Sequence, residues 1–449
     1  MEKELLVLGG GESGVGAAML AVARGIRVRV SDAGRVGEKR AAELNALGVP
    51  WEEGGHNPRQ WGQVDEVVKS PGIPDDAPMV LELKSKGIPV LSEIEFAARH
   101  TRARLIGITG TNGKTTTTLL TADIFRRAGW NMACAGNVGH SFARSVAEAP
   151  TDRDLYVLEI SSFQLDGMYN TRLDVGVITN ITPDHLDRYQ YRMENYVQSK
   201  LRIARNMRST ETLIYCTDDA TTGEALTRAG EGIGAGRMGF GFKRMPDSGA
   251  WIENNQIVLH KPEDDMYIPI DDLSLKGKHN TLNAMAAALP ARLFDIRNEL
   301  IRDSLTRFEA IEHRLEPVAT IKGVEYINDS KATNVNSVWY ALESISKPIV
   351  WIAGGTDKGN DYSVLVDLVP GRVKALICMG LDNRLLHDAF SDVVPLMVNT
   401  TSMEESVRMA YHLAEKGDVV LLSPACASFD LFQNYEDRGR QFKQYVRML

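Results

Sequence analysis

The sequence has few cysteines, and none of them stands in a metal-binding or disulfide pattern. The chain of 449 residues contains four, far apart in sequence and without any Cys-x-x-Cys pair. A disulfide framework or a cysteine-based zinc site is therefore not expected. We predict that Cys134, Cys216, Cys378 and Cys426 are reduced and act as small buried apolar residues.

Long apolar runs and clusters of positive charge are also missing. No apolar run reaches the roughly 18 residues that a membrane-spanning helix needs, and no signal-peptide pattern precedes the first apolar run. The net charge is −8, and the 51 Lys and Arg residues are scattered along the chain. These features predict a cytoplasmic protein that binds no nucleic acid and no membrane. We also expect a monomer.

The residues that are present have an ordinary globular composition, with 43% apolar and 24% charged residues. Short apolar runs that end in Gly, Ser, Asp or Asn alternate with amphipathic segments of helix length, which is typical of parallel α/β units. The length suits about three domains. We predict an α/β protein with domains at residues 1–102, 103–310 and 311–449, each built on a mainly parallel sheet, and an antiparallel patch at residues 237–270.

The segment LLVLGGGESGVG places Gly9, Gly11 and Gly14 at the spacing of a dinucleotide-binding turn. A predicted strand precedes this turn and a predicted helix follows it. Asp32 ends the next predicted strand, where such folds place the acid that holds a ribose. A G-x-G-x-x-G pattern is a weak signal by itself, so this segment leaves a nicotinamide or flavin enzyme open.

A second glycine-rich segment, GITGTNGKTTTT at residues 107–118, follows a predicted strand and opens a predicted helix. Backbone amides at such a turn converge on an anion. The turn is shorter than a standard P-loop, because Ile108 stands where the first glycine would be. We predict an ATP phosphate cradle, with Lys114 at the β- and γ-phosphates and the Thr115 hydroxyl at Mg²⁺.

Polar residues follow the next predicted strands. Glu159 ends the apolar run in DLYVLEIS and suits a magnesium carboxylate. His185, in the loop after Asn180, could bind or orient a metal, although a surface or capping histidine is more common. From the residues alone, Lys200 is interpreted as an ordinary lysine on a helix surface.

Five motifs, in this order, resemble those of the Mur ligases, ATP-dependent enzymes that extend the peptide stem of bacterial cell-wall precursors: GTNGKTT, LEISSFQL, NITPDHLDRY, GKHNTLNAMAA and EHRLE. NDSKATN (328–334) and LLSPACASFDLF (421–432) look like the segments of members that add D-glutamate. The resemblance implies a Rossmann-like domain, a P-loop ATPase-like domain with a small antiparallel sheet, and a second Rossmann-like domain. It also implies that D-glutamate is joined, through an acyl phosphate, to UDP-N-acetylmuramoyl-L-alanine during cytoplasmic peptidoglycan precursor synthesis.

The same resemblance assigns site residues, and it gives the first glycine turn to a UDP-sugar instead of a dinucleotide. The UDP-sugar positions are Glu12, Ser13, Asp32 and Gly72. The ATP positions are Gly110, Thr111, Asn112, Gly113, Lys114, Thr115, Thr116, Asn283, Arg314 and Asp329. The D-glutamate positions are Lys331, Thr333, Lys358, Ser428, Phe429 and Tyr435. The segment AGR after Asp32 departs from the Thr–Arg pair of some relatives, which leaves further diphosphate contacts open.

For the reacting centre the resemblance implies two Mg²⁺ ions and a lysine carbamate. The implied catalytic residues are Lys114, Asn137, Glu159, His185 and Lys200. The implied metal ligands are Thr115, Glu159, His185 and Lys200 as its carbamate.

Three other functions account for less of the chain. A folylpolyglutamate-type ligase lacks a domain of about a hundred residues ahead of its phosphate loop. An NAD-dependent oxidoreductase leaves GTNGKTT unexplained. A nucleotide-gated binding protein without catalysis leaves Glu159, His185 and the C-terminal motifs unexplained.

Overall fold

The structure is a computed structural model that describes residues 4–58, 63–149, 151–245, 247–262, 264–308, 312–357 and 359–449. Its strands form three sheets. By contacts, the described chain divides into two compact units, one of residues 1–273 and 280–307 and the other of residues 274–279 and 308–449. The first unit holds two of the sheets and the second unit holds the third.

The first sheet has five parallel strands in the order β3-β2-β1-β4-β5. This is the doubly wound order of nucleotide-binding folds, and it confirms the predicted Rossmann-like region. Its strands are β1 (Glu4–Leu8), β2 (Arg27–Ser31), β3 (Trp51–Glu52), β4 (Glu66–Lys69) and β5 (Val90–Leu91). Its helices are α1 (Glu12–Ala23), α2 (Glu38–Ala46), α3 (Pro78–Ser85) and α4 (Glu93–Ala98).

The second sheet has nine strands in the order β14-β13-β12-β11-β10-β9-β6-β8-β7. The strands are β6 (Arg104–Thr109), β7 (Met132–Gly136), β8 (Leu155–Glu159), β9 (Val175–Ile178), β10 (Thr212–Cys216), β11 (Gly236–Phe240), β12 (Gly249–Glu253), β13 (Gln256–Lys261) and β14 (Asp264–Pro269). The predicted antiparallel patch forms β12, β13 and β14. It continues the parallel sheet through the β11–β12 pair instead of standing apart.

Seven helices accompany this sheet among the described residues. They are α5 (Lys114–Arg127), α6 (Phe142–Ala147), α7 (Ser162–Asp166), α8 (Met193–Leu201), α9 (Ala220–Ala229), α10 (Lys278–Leu293) and α11 (Asn298–Arg307). Within the first unit, α6 packs against α1 and α4, so the first two sheets are tied together through these helices.

The third sheet has the order β15-β16-β20-β17-β18-β19, with β15 antiparallel and the others parallel. Its strands are β15 (Glu316–Ile321), β16 (Val324–Asn328), β17 (Ile349–Ala353), β18 (Val373–Met379), β19 (Met397–Thr400) and β20 (Val419–Leu422). Its helices are α12 (Val335–Ser344), α13 (Ser363–Val366), α14 (Arg384–Phe390), α15 (Met403–Leu413) and α16 (Tyr435–Arg447). The segments NDSKATN and SPACASFD follow β16 and β20, which are neighbours, so both lie at one edge of the sheet.

The apolar core lies against both faces of these sheets, as the continuous apolar strands predict. All four cysteines are free thiols. Cys216, Cys378 and Cys426 are buried as predicted, whereas Cys134 is only half-buried. Across the described ranges, no helix is both long and apolar enough to cross a bilayer. The predicted boundary near residue 102 falls inside the first unit and stays a prediction, and the boundary at residues 310 and 311 lies outside the described residues.

Candidate active site

The first glycine turn connects β1 to α1 and is held by Asp32. The carboxylate of Asp32 accepts hydrogen bonds from the amide of Gly10 (2.6 Å) and from the amide of Gly34 (2.7 Å). Gly9 has a φ of +98°, and a Cβ at Gly14 would overlap the carbonyl oxygen of Gly9. Glycine at these two positions therefore allows the tight turn and the close packing of α1 on β1.

The other predicted UDP-sugar residues lie near this turn, but Glu12 is engaged in ion pairs. Its carboxylate pairs with Arg40 and with Arg144 (2.9 Å), and it accepts the amide hydrogen of Ser141 (3.0 Å). Ser13 is half-buried in the first turn of α1. The sequence analysis missed this structural role of Glu12, since its partners are far away in sequence.

Gly72 follows β4, the neighbour of β1. Its carbonyl oxygen accepts a hydrogen bond from Arg188 at 3.3 Å, in the segment after β9. The guanidinium of Arg188 also lies 4.4 Å from the ring centre of Phe163. Gly72 is thereby connected to the loop that carries His185.

The phosphate loop lies between β6 and α5, as predicted. Gly110 and Gly113 have φ angles of +151° and +82°, which favour glycine. The Nζ of Lys114 donates to the carbonyl oxygens of Gly110 and Thr111, at 2.7 Å in each case. Thr115 is buried in the first turn of α5. The backbone amides at this helix start suit a phosphate group.

Residues after β9 and on α10 contact the phosphate loop and hold its backbone in place. Thr179 donates from its hydroxyl to the carbonyl oxygen of Asn112 (2.6 Å), and the side-chain oxygen of Asn180 accepts the amide hydrogen of Asn112 (3.0 Å). Asn283 lies directly over Gly113, where any Cβ would collide with its side-chain oxygen. The structure therefore brings the predicted residue Asn283 to the phosphate loop.

Glu159 and Asn137, two residues that the resemblance assigns to the reacting centre, form a hydrogen-bonded pair. Glu159 ends β8 and is only 2% exposed. Its Oε1 accepts a hydrogen bond from Nδ2 of Asn137 at 2.7 Å, while its Oε2 is buried without a hydrogen-bond partner. A buried carboxylate oxygen without a partner is costly unless a cation or a ligand satisfies it.

The residues at this edge fit Mg²⁺, which prefers oxygen ligands. Glu159 offers its unpaired carboxylate oxygen and Thr115 a hydroxyl. Over the part of the chain that is described, no group of three or more His, Cys, Asp or Glu residues could hold a metal by itself. Mg²⁺ usually takes one or two protein carboxylates and completes its shell with substrate phosphates and water.

Lys200 lies in the core and not on a helix surface, so the interpretation from the residues alone was wrong. Its side chain is 1% exposed, and its Nζ donates to the carbonyl oxygen of Gly110 at 2.8 Å. Its Nζ also lies 4.6 Å from the ring centre of Tyr196. Burial, and next the charge of Lys114, hold the pKa of Lys200 well below its usual value, against the opposing charge of Asp184.

His185 is in a left-handed conformation, with a φ of +53°, just before a short 3₁₀ helix. Its ring packs edge-on against Phe163, with 5.2 Å between ring centres. Its Nε2 lies 3.7 Å from a carboxylate oxygen of Asp184. The loop that carries it is tied to the phosphate loop, because the hydroxyl of Thr111 donates to the carbonyl oxygen of Thr182 (2.9 Å).

In the second unit, Asp329 follows β16 and is fully buried. Its carboxylate accepts hydrogen bonds from the hydroxyl of Ser423 (2.8 Å) and from the amide of Leu315 (3.2 Å). Burial raises the pKa of Asp329 to about 6, against the lowering effect of the Arg314 charge. The two predicted ATP residues of this unit, Arg314 and Asp329, therefore interact electrostatically.

Four of the predicted D-glutamate residues lie on two neighbouring loops of this unit, and Tyr435 begins α16. The Nζ of Lys331 lies 5.4 Å from the ring centre of Tyr435, and the amide of Thr333 donates to the carbonyl oxygen of Lys331 (2.9 Å). Ser428 is buried and Phe429 is 73% exposed, on the loop after β20. Lys358 lies outside the described residues.

Comparison with known families accounts for nearly the whole chain. Residues 3–92 match the Mur ligase MurD-like N-terminal domain, residues 108–291 the Mur ligase middle domain, and residues 313–426 the Mur ligase glutamate ligase domain. The chain belongs to the Mur ligase family, and it is an ATP-dependent ligase. It is 49% identical over 449 residues to UDP-N-acetylmuramoylalanine–D-glutamate ligase of Christiangramia forsetii, with 100% of both chains covered. The ligase of the same name from Porphyromonas gingivalis is 48% identical over 448 residues, or 99% of each chain.

Solved structures of more distant ligases share the fold. UDP-N-acetylmuramate-alanine ligase MurC from Thermotoga maritima matches with a TM-score of 0.63 and 17% identity over 100% of both chains. MurF from Acinetobacter baumannii matches with a TM-score of 0.64 and 16% identity over 99% of this chain and 93% of its own. At these identities the likeness concerns the fold alone, and it confirms the predicted three-domain α/β class.

Proposed function

We propose that this chain joins D-glutamate to the L-alanyl carboxylate of UDP-N-acetylmuramoyl-L-alanine, with ATP as the energy source. The observation that carries the proposal is the arrangement at the ends of β6 and β8. In the pairing of β6 with β8, Ile108 lies opposite Glu159. The phosphate loop after β6 therefore begins beside the end of β8, where Glu159 carries its unpaired carboxylate oxygen. The names of the full-length relatives support the choice of the two substrates.

Each predicted domain has one substrate in this proposal. Residues 1–102 bind the UDP-sugar through the glycine turn and the residues Glu12, Ser13, Asp32 and Gly72. Residues 103–310 bind ATP at the phosphate loop, with Asn283 beside it. Residues 311–449 bind D-glutamate and also supply Arg314 and Asp329 to the nucleotide. The reaction belongs to the cytoplasm, where ATP and UDP-activated precursors are available.

The chain's own groups favour activation of a carboxylate. The substrate carboxylate attacks the γ-phosphorus of ATP, ADP leaves, and an acyl phosphate forms. The ammonium group of Lys114 and the amides at the start of α5 offset the negative charge that collects on the phosphoryl oxygens. The unprotonated amine of D-glutamate then attacks the acyl carbon and forms a tetrahedral intermediate, which loses a proton from nitrogen and expels phosphate to give the amide.

The proposed Mg²⁺ ligands are Thr115, Glu159, His185 and Lys200 as a carbamate. Bound Mg²⁺ would reduce the repulsion between the substrate carboxylate and the phosphates. A carbamate forms when an unprotonated amine attacks CO₂ and loses a proton. The burial of Lys200 and its nearness to Lys114 favour the unprotonated amine and so support this modification.

D-glutamate carries two carboxylates, and the segments after β16 and β20 offer groups suited to them. We assign Lys331, Thr333, Lys358, Ser428, Phe429 and Tyr435 to this substrate. Cations and hydroxyls placed around both carboxylates would select a dicarboxylic amino acid and its stereoisomer.

A Glu159→Gln variant tests the proposed centre. The amide keeps the size of the side chain but removes the charge that a cation would need, so we expect ATP-dependent phosphate release to fall about 100-fold or more, with all substrates present. The matched control is Glu224→Gln, an exposed position on α9. Phosphate release by Glu159→Gln at the rate of the control would contradict the proposal.

A further inference from the structure

Arg438 on α16 is a fully buried cation that the proposed reaction does not yet use. It is 0% exposed, although the segment around it, YEDRGRQ, is strongly polar. Its Nε donates to the hydroxyl of Ser330 (3.0 Å), and its Nη2 donates to the carbonyl oxygen of Ser330 (2.9 Å). Both Nη1 and Nη2 donate to the carbonyl oxygen of Cys426, each at 3.2 Å.

The charge of Arg438 is not neutralised by a direct ion pair. Among the ion pairs of the described residues, none includes Arg438. Burial of a guanidinium without a directly paired carboxylate costs free energy, because the group loses its hydrogen bonds to water. The hydrogen bonds to Ser330 and Cys426 compensate for this loss. Burial lowers the pKa of Arg438 to about 10, against the opposing negative charge of Asp430, and the group stays charged at neutral pH.

The two acceptors of Arg438 lie on the two loops that carry proposed D-glutamate residues. Ser330 directly precedes Lys331 in the loop after β16, and Cys426 stands two positions before Ser428 in the loop after β20. These loops leave neighbouring parallel strands, with Asn328 opposite Leu422. The guanidinium therefore bridges the backbones of both loops with one rigid planar group.

Two further contacts extend the bridge. The hydroxyl of Ser330 donates to the carbonyl oxygen of Tyr435 (2.8 Å), which fixes the start of α16 to the same point. Ala425, next to Cys426, has a φ of +62°, a conformation that a non-glycine residue adopts only where its surroundings hold it. The loop after β20 is thus held in a specific shape where Arg438 contacts it.

We propose that Arg438 is a positioning residue for the amino-acid substrate, which sets the separation of the two loops and adds a buried positive charge that favours a dicarboxylic amino acid. This inference rests on the proposed function. Arg438 contacts backbone and hydroxyl groups of the loops that carry Lys331 and Ser428, so its main effect falls on the amino-acid substrate. The UDP-sugar residues and the phosphate loop belong to the first unit, whereas Asp329, which is assigned to the nucleotide, directly precedes Ser330.

The test is steady-state kinetics with each substrate varied in turn, on Arg438→Gln, Arg438→Lys and the control Arg440→Gln, which changes an exposed arginine of the same helix. We expect Arg438→Gln to raise the KM for D-glutamate about tenfold or more, because several charge-assisted hydrogen bonds are lost. The KM for the UDP-sugar should change less than about twofold, and the KM for ATP should rise less than the KM for D-glutamate, because Asp329 adjoins Ser330 but does not itself accept a hydrogen bond from Arg438. Arg438→Lys keeps the positive charge but loses the planar guanidinium with its several N–H donors. Its KM for D-glutamate should lie between those of wild type and Arg438→Gln.

A second variant keeps the test valid if Arg438→Gln does not fold. Ser330→Ala removes one acceptor and leaves the buried cation, and it should raise the KM for D-glutamate about threefold or more. Equal increases for all three substrates, or an unchanged KM for D-glutamate in a folded variant, would overturn the inference. A wild-type enzyme that ligates no D-glutamate would instead refute the proposed function, so the two failures are distinguishable.

Discussion

Glu93, at the start of α4, is a buried carboxyl group that should make the stability of the first unit depend on pH. It is 1% exposed, and its carboxylate accepts the amide hydrogen of Ala143 at the start of α6. Burial, reinforced by the negative charge of Glu12, raises the pKa of Glu93 to about 8 from an ordinary value of 4.5. Protonated Glu93 is therefore favoured in the folded protein at neutral pH.

The direction and size of the effect follow from proton linkage. The pKa of Glu93 is higher in the folded protein than in the unfolded chain. The contribution of Glu93 to the free energy of unfolding is therefore fully present below pH 4.5 and is lost as the pH rises through about 8. At about 1.4 kcal/mol per pH unit, the upper limit over this range is about 5 kcal/mol. Relaxation and water entry reduce such values, so we expect a loss of about 2–4 kcal/mol between pH 5 and pH 8.

A Glu93→Gln variant should lack this loss, because the amide keeps the acceptor for Ala143 and does not titrate. Hydrogen exchange of peptides that cover α4 and α6, compared with wild type at each pH, measures the difference locally. We expect similar protection at pH 5 and at least tenfold greater protection for Glu93→Gln at pH 8.5, with Glu38→Gln, an exposed change on α2, as the control. Parallel loss of protection in wild type and Glu93→Gln would refute the reasoning.

Three predictions concern the reaction. Lys114→Ala should lower phosphate release about 1000-fold, because a cation at the transferred phosphoryl is lost, and near-normal turnover would exclude the assigned cradle. Lys200→Ala should lose most activity and regain part of it with added acetate or formate, which replace the carbamate. Rescue by small amines, or full activity without additives, would refute the carbamate. Calorimetry should detect binding of the UDP-sugar and none of NAD(H) at the first glycine turn, and NAD(H) that competes with the UDP-sugar would overturn this assignment.

Most of the fold could be predicted from the sequence because local patterns encode it. Continuous apolar runs followed by glycine turns gave the parallel strands, and the phosphate loop lies where its strand–turn–helix pattern predicts. The continuity of the central sheet could not be predicted in this way. It depends on the pairing of β11 with β12, which no local periodicity specifies.

Two buried cations of the proposed sites, Lys200 and Arg438, occupy helix positions that are normally apolar. Lys200 shares the buried face of α8 with Tyr196 and Val197, and Arg438 stands four and eight residues before the buried Phe442 and Val446 of α16. In each case a charged residue occupies the apolar stripe of its helix, a signal that was available in the sequence. Lys200 donates to the carbonyl oxygen of Gly110 and Arg438 to Ser330, 90 and 108 residues away, and only the folded chain reveals these contacts.

The resemblance named Asn137 and Glu159 as residues of the reacting centre, but it did not predict that they contact each other. The residues are 22 positions apart, and their contact depends on β7 lying beside β8. The unpaired oxygen of Glu159 is a property of burial, which no sequence pattern reports.

The proposed function requires that the chain forms an amide with D-glutamate and converts ATP to ADP and phosphate in the same reaction. The most direct measurement is mass spectrometry of the UDP-sugar after incubation with ATP, Mg²⁺ and a panel of D- and L-amino acids, with ADP and phosphate quantified in parallel. We expect one new product, with the mass of UDP-N-acetylmuramoyl-L-alanine plus glutamate less water, from D-glutamate and not from L-glutamate, and one ADP and one phosphate for each product molecule. ATP hydrolysis without this product, or a product formed from another amino acid in preference to D-glutamate, would contradict the account.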